Sequence, residues 1–196
     1  MKRSEFIVLC FAGVILTFGF SFISCNNMFS YSNEPLNDEE KNLIGKWYKT
    51  ESGEIDMGED CYPVSITGES LLQFRRNRTW KETETVKITV AYEDDDYDNL
   101  VTVVYSIILN GVWVCDNNFL TTCSKNVKIK FLKAYTARSL SEDKYKINLI
   151  KSWFEEEMIP EIKSEALVAD LIINLSPYEV SLVDEEGETF SMKRIQ

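Results

Sequence analysis

Residues 79–91 read Thr79-Trp80-Lys81-Glu82-Thr83-Glu84-Thr85-Val86-Lys87-Ile88-Thr89-Val90-Ala91. Trp80, Val86, Ile88 and Val90 fall on one side of a two-residue period, with Lys81, Thr83, Thr85 and Lys87 on the other. That is the pattern of a half-buried β-strand. Outward from it, Leu72 and Phe74 end a preceding strand at the turn Arg75-Arg76-Asn77-Arg78. On the other side, residues 100–115 carry Val101, Val103, Tyr105, Ile107, Leu109 and Trp113 at odd positions. At ~3.3 Å per residue this run is too long for one flat strand, and Asn110-Gly111 is expected to mark a bend or bulge. A hairpin turn is expected at Asp116-Asn117-Asn118.

The alternation continues in Val127, Ile129, Phe131 and Tyr135 against Lys128 and Lys130, and again in Tyr145, Ile147 and Leu149 against Lys144, Lys146 and Asn148. Both stretches are read as strands. In residues 152–170 the period breaks, with Met158, Ile162, Leu167 and Leu171 at helix-like spacing. Pro160 cannot sit inside a regular helix, so the helix proper is expected to begin about there and to occupy residues 160–169. Three strands follow, at 171–175, 178–184 and 188–195, with Glu185-Glu186-Gly187 as the last turn. Upstream, Asn37-Asp38-Glu39-Glu40 reads as a helix N-cap followed by acids in the first turn. Leu43, Gly45 and Trp47 then share one strand face, opposite Lys46 and Tyr48. About ten short antiparallel strands predict an all-β barrel or sandwich.

Composition removes several function classes. The chain has 196 residues, 44% hydrophobic and 12% aromatic, which is a globular composition. Its 21 Lys plus Arg against 32 Asp plus Glu give a charge of −11, with a pI near 4.6. Such a surface does not suit nucleic acid. The chain contains no His, which removes histidine triads, histidine metal sites and histidine pH switches.

The N-terminus reads as an address. Lys2 and Arg3 precede an apolar run over residues 6–22, which ends at Ile23-Ser24-Cys25 and turns polar at Asn26-Asn27. This is the pattern of an export signal. The stretch resembles the lipobox of bacterial lipoproteins, with Phe22 where Leu is usual. A retained membrane anchor and plain secretion are the alternatives. The resemblance implies a signal peptide at 1–24 and acylation of the Cys25 thiol, with palmitate the expected kind of chain. Each buried methylene contributes roughly 0.8 kcal/mol to anchoring. By resemblance to enterobacterial sorting rules, Asn26 favours the outer membrane. Residues 25–36 are then a flexible tether and 37–196 one domain. Cys61, Cys115 and Cys123 remain, so at most one disulfide forms, and at least one buried free thiol is expected.

Leu43-Ile44-Gly45-Lys46-Trp47 at the opening, with Thr189-Phe190-Ser191-Met192-Lys193-Arg194 at the close, resembles the lipocalin superfamily, in particular bacterial lipocalin-like lipoproteins. The resemblance implies an up-and-down β-barrel in which Trp47 fills one end and Arg194 lies across it. Parity agrees: Arg194 shares its face with Phe190 and Met192, and an inward guanidinium could stack on Trp47. The alternative is an edge strand with Arg194 reaching water. Three strands after the late helix depart from the family's pattern and leave strand order open.

Trp80, Trp113, Tyr105 and Tyr145 are the candidate cavity lining, although aromatics on such faces are more often plain core. Glu82 and Glu84 share the face of Trp80 and could anchor a cationic or hydroxylated ligand. The simpler and favoured account has that strand projecting past the core, or these acids pairing with Arg75, Arg76 or Arg78. As a glycosidase pair they lie side by side on one strand, not across a sugar. Residues 93–98 carry five carboxylates but fail the EF-hand pattern, with Tyr105 at position twelve, so no metal site is expected. No phosphate loop or nucleophile elbow is present. The expectation is a lipid-anchored envelope binding protein: a monomer, without cofactor or enzymatic activity, holding a small, partly apolar ligand. The alternative is a filled barrel serving as an interaction module of a cell-surface complex.

Overall fold

The computed structural model describes residues 34–55, 64–91, 100–136, 139–141, 143–164 and 167–195. The expected signal peptide at 1–24, Cys25, Cys61 and the acidic run 93–98 lie outside them.

Eight antiparallel strands follow one another around a closed barrel. They are β1 (Gly45–Ile55), β2 (Val64–Phe74), β3 (Thr79–Val90), β4 (Val101–Asp116), β5 (Phe119–Thr136), β6 (Leu167–Leu175), β7 (Glu179–Val183) and β8 (Thr189–Arg194). Closure rests on two residue pairs of β1 with β8, Trp47 with Arg194 and Tyr48 with Lys193. The fold is thus an all-β up-and-down barrel; periodicity left barrel or sandwich open, and the resemblance implied the barrel. The strand order left open by the three strands after the helix is sequential.

The turns form where the sequence permits positive φ. Asn117 and Asn118 link β4 to β5 at φ 52° and 64°, the two-residue turn whose twist matches its strands. Residues 101–116 form one strand, kept continuous by two bulges in its pairing with β5, after Val104 and after Asn110. At the second, the Cys123 carbonyl comes so close to Gly111 that a Cβ would overlap it.

A short helix, α1 (Asp38–Leu43), covers the Trp47 end of the barrel. Its capping box is complete: Asn37 Oδ1 accepts from the Glu40 N–H at 2.7 Å, and Glu40 Oε2 accepts from the Asn37 N–H at 3.0 Å. Glu40 turns back into the protein, where Arg78 Nε and Nη2 donate to its two oxygens at 2.7 and 2.8 Å. Cys115 is free and buried, while Cys123 is disulfide-bonded to a partner outside the described residues.

The late helix is present but starts earlier than its sequence suggested. α2 (Lys144–Trp153) runs into a π-helical turn, Phe154–Met158, and on into α3 (Ile159–Ser164). Tyr145, Ile147 and Leu149, read as a strand, therefore lie in a helix, and residues 167–169 belong to β6. The reason is a second period in the same residues. Ile147, Ile150, Phe154, Met158 and Ile162 recur every three or four positions and all pack on one apolar cluster. Pro160 is tolerated because the preceding turn is widened: the Ile159 N–H donates to the Phe154 carbonyl, five residues back.

This helical segment also explains why a barrel with such unequal strands closes its core. β5 pairs with β6 only over Phe119–Cys123. Beyond that the helices take over, with Phe154 stacked on Tyr105 at 4.2 Å between ring centroids. Two apolar layers result. One gathers Leu43, Trp47, Phe74, Trp80, Trp113 and Leu182 under α1. The other joins Ile88, Val103, Tyr105 and Ile107 to the helices. Among the described residues no helix is long and apolar enough to cross a membrane.

Candidate functional site

Strand pairing fixes what faces inward. Trp47 is opposite Leu72, which is opposite Glu82; one step along, Lys49 is opposite Ser70, which is opposite Glu84. Trp47 is fully buried, so Lys49, Ser70, Glu82 and Glu84 share the inner face with it. Asp170 joins them from β6, opposite the buried Leu120. A charged belt therefore crosses the barrel between its two apolar layers.

Lys49 is the hub of the belt. Its Nζ lies 2.8 Å from Glu51 and 3.9 Å from Glu82, and 5.2 Å from the centre of the Phe190 ring. Burial disfavours the ammonium, but the charges of Glu82 and Glu51 outweigh it and hold Lys49 above the ordinary lysine range. For Glu84 and Asp170 the compensation is only partial. Glu84 is pushed up to about 7, by burial first and then by the charge of Glu82, with Lys49 only partly opposing. Asp170 also stands at about 7, raised by burial against the pull of Lys49, with Asp184, Glu51 and Glu185 adding to the rise.

The belt opens to solvent on one side. Side-chain exposure falls from 42% at Glu51 to 16% at Lys49 and 11% at Glu82. The opening follows from the pairing, because β1 leaves β8 after Tyr48. Inside it, the Glu84 carboxylate fills the space over Gly68, where a Cβ would collide with Oε1. Ser70 is 1% exposed, and its hydroxyl has no hydrogen-bond partner among the described residues.

The residues singled out in the sequence divide accordingly. Glu82 and Glu84 do point into the barrel, and they face Lys49. The favoured account, in which the strand projects past the core or these acids pair with Arg75, Arg76 or Arg78, is corrected: Glu82 is buried beside Lys49, Arg78 is taken by Glu40, and Arg75 donates to Gln73. Trp80, Tyr105 and Trp113 are buried members of the apolar layers. Trp113 meets Phe74 edge to face at 5.1 Å and donates its indole N–H to the Arg75 carbonyl at 3.2 Å. Tyr145 does not line the barrel: it sits on α2 and is 76% exposed. Lys49, Ser70 and Asp170 were missed. Lys49 could have been found by extending the Gly45-Trp47 alternation by one more step. Among the described residues no three His, Cys, Asp or Glu side chains converge as metal ligands.

At the barrel's other end the Arg194 guanidinium lies over the Trp47 ring, 4.2 Å from its centre. It donates to the Pro177 and Ile44 carbonyls at 2.6 Å each and to that of Asn42. Gly45 makes room for it. Its φ is +142°, and a Cβ there would run into Arg194 Nη1. Gly45→Ala is therefore expected to cost about 1–3 kcal/mol in urea unfolding, the range for a strained backbone position. A cost under about 0.5 kcal/mol, within the scatter of ordinary surface substitutions, would mean the guanidinium can move off the ring freely. No protein-family model matches this chain, and no curated protein matches it.

Proposed function

We propose that the chain is a lipid-anchored cell-envelope binding protein, lipocalin-like in its barrel, whose ligand is a small, partly apolar molecule held at the charged belt. The observation that supports this is the belt itself. Carboxylates, a lysine and a buried hydroxyl without a partner stand between two apolar layers and reach solvent on one side. A barrel stabilised only by packing gains little from such groups, since desolvating them costs more than an apolar filling would. Few convergent polar groups inside apolar walls are the usual make-up of a small-molecule site. Anchoring at Cys25 and an outer-membrane address rest on the lipobox resemblance, and no reaction is assigned.

Native mass spectrometry of the protein from its own export pathway tests the ligand. A reproducible excess mass that disappears on denaturation is expected; a bare mass, unchanged after exposure to host extract, would replace this reading with the filled barrel. One observation favours that second reading, since large aromatics already occupy both ends of the barrel. Cys25→Ser tests the anchor. The variant is expected to move from the membrane to the soluble fraction and to lose palmitate labelling, and continued membrane attachment would refute the lipoprotein assignment.

A further inference from the structure

Resting on the binding reading above, we infer that the belt selects organic cations: an ammonium head on a short apolar body. The belt sets one cation, Lys49, against the four carboxylates of Glu51, Glu82, Glu84 and Asp170. Lys49 is spent on Glu51 and Glu82, and among the described residues neither Glu84 nor Asp170 forms a salt bridge. Ser70 is the second, independent sign. Its hydroxyl is buried and unpartnered, and its register neighbours on the inner face are Lys49 on one side and Glu84 on the other. An ammonium placed beside Glu84 would donate to both the carboxylate and this hydroxyl. An anion would meet the same carboxylates with its own charge, and a neutral alcohol would leave their charge unbalanced. The apolar body would lie against Phe190 and the apolar layers above and below.

Binding should release a proton. Glu84 sits among Glu82, Glu51 and Lys49 at about 7, and Asp170 among Lys49, Asp184, Glu51 and Glu185, also at about 7. A cation displaces the proton of whichever carboxyl it pairs with. Displacing one proton held at about 7 makes affinity rise roughly tenfold from pH 6 to pH 8.

The test is isothermal titration of the full chain with cyclohexylammonium, cyclohexanol and cyclohexanecarboxylate, which share one body and differ in the head. Cyclohexylammonium is expected to bind best, tighter at pH 8 than at pH 6. Glu84→Gln should weaken it about tenfold and flatten the pH dependence, while Lys49→Met, which removes the competing internal cation, should tighten it. Since Glu84→Gln is expected to fold more stably than the parent at pH 8, lost binding would not reflect unfolding. Equal binding of all three probes would overturn the cation inference and leave the binding reading intact. So would no binding of any probe by a protein that native mass spectrometry finds occupied. No probe binding together with a bare mass would sink both.

Discussion

Arg78→Met is expected to lower the unfolding free energy by about 3–5 kcal/mol, the range for removing one partner of a buried ion pair. Both Glu40 oxygens accept from the guanidinium, and Glu40 is only 1% exposed. Without Arg78 it is a carboxylate in an apolar setting, still required at the N-terminus of α1, where it caps the Asn37 N–H. Burial works against its ionised form, but the Arg78 and Asn37 hydrogen bonds outweigh burial and hold it below the ordinary glutamate range. The loss should appear as undocking of α1 from the barrel end, with faster amide exchange over residues 38–43 and near Trp47. The double variant Glu40→Gln with Arg78→Met should recover much of the loss, since the glutamine still caps and no charge is stranded. Equal costs for the single and double variants would mean that the pair acts through shape and not through charge.

This pair also marks where local sequence reading stops. Asn37 and Glu40 announce a capping box, and Arg75 to Arg78 announce a turn, each from neighbours within a few residues. Their meeting depends on α1 folding across the mouth of a barrel that closes through Arg194, and no local pattern carries that. For Trp47 and Arg194, by contrast, the parity of their strands can be counted and points both inward, while their meeting was what the lipocalin resemblance implied. The inward direction of Glu82 and Glu84 was legible by the same count, while their partner Lys49 was one uncounted step away. Tyr145 was misread because residues 144–150 satisfy two periods at once. Only Phe154 and Met158 beyond them decide for the helix, which starts at Lys144 and ends at Ser164, so that β6 already begins at Leu167 and carries Asp170.

The belt sets the pH dependence of stability, and its direction is unusual for an acidic protein. Well below the unfolded values of both groups, Glu84 and Asp170 are protonated in folded and unfolded chains alike, and their burial has no pH-linked cost. As pH rises from the unfolded values of 4.5 and 3.8 toward about 7, the folded chain retains protons that the unfolded chain has lost. Each step upward therefore favours unfolding, until both groups are ionised in both states. A rise to about 7 corresponds to about 3 kcal/mol for Glu84 and about 4 kcal/mol for Asp170 at 1.36 kcal/mol per pH unit, reduced where water reaches the belt. Glu40 works the other way. Its contribution is complete above its unfolded value and is lost only as pH falls through its lower folded value. The two trends place the stability maximum on the acid side of neutrality, with a decline toward pH 8. Glu84→Gln and Asp170→Asn should each raise the melting temperature at pH 8, leave it nearly unchanged at pH 4, and flatten the decline between. Urea unfolding across pH 4–8 reads all of this directly. A parent whose stability rises steadily from pH 5 to pH 8 would mean that these carboxylates are hydrated in the folded state, and the belt would then be a wet groove in place of a desolvated site.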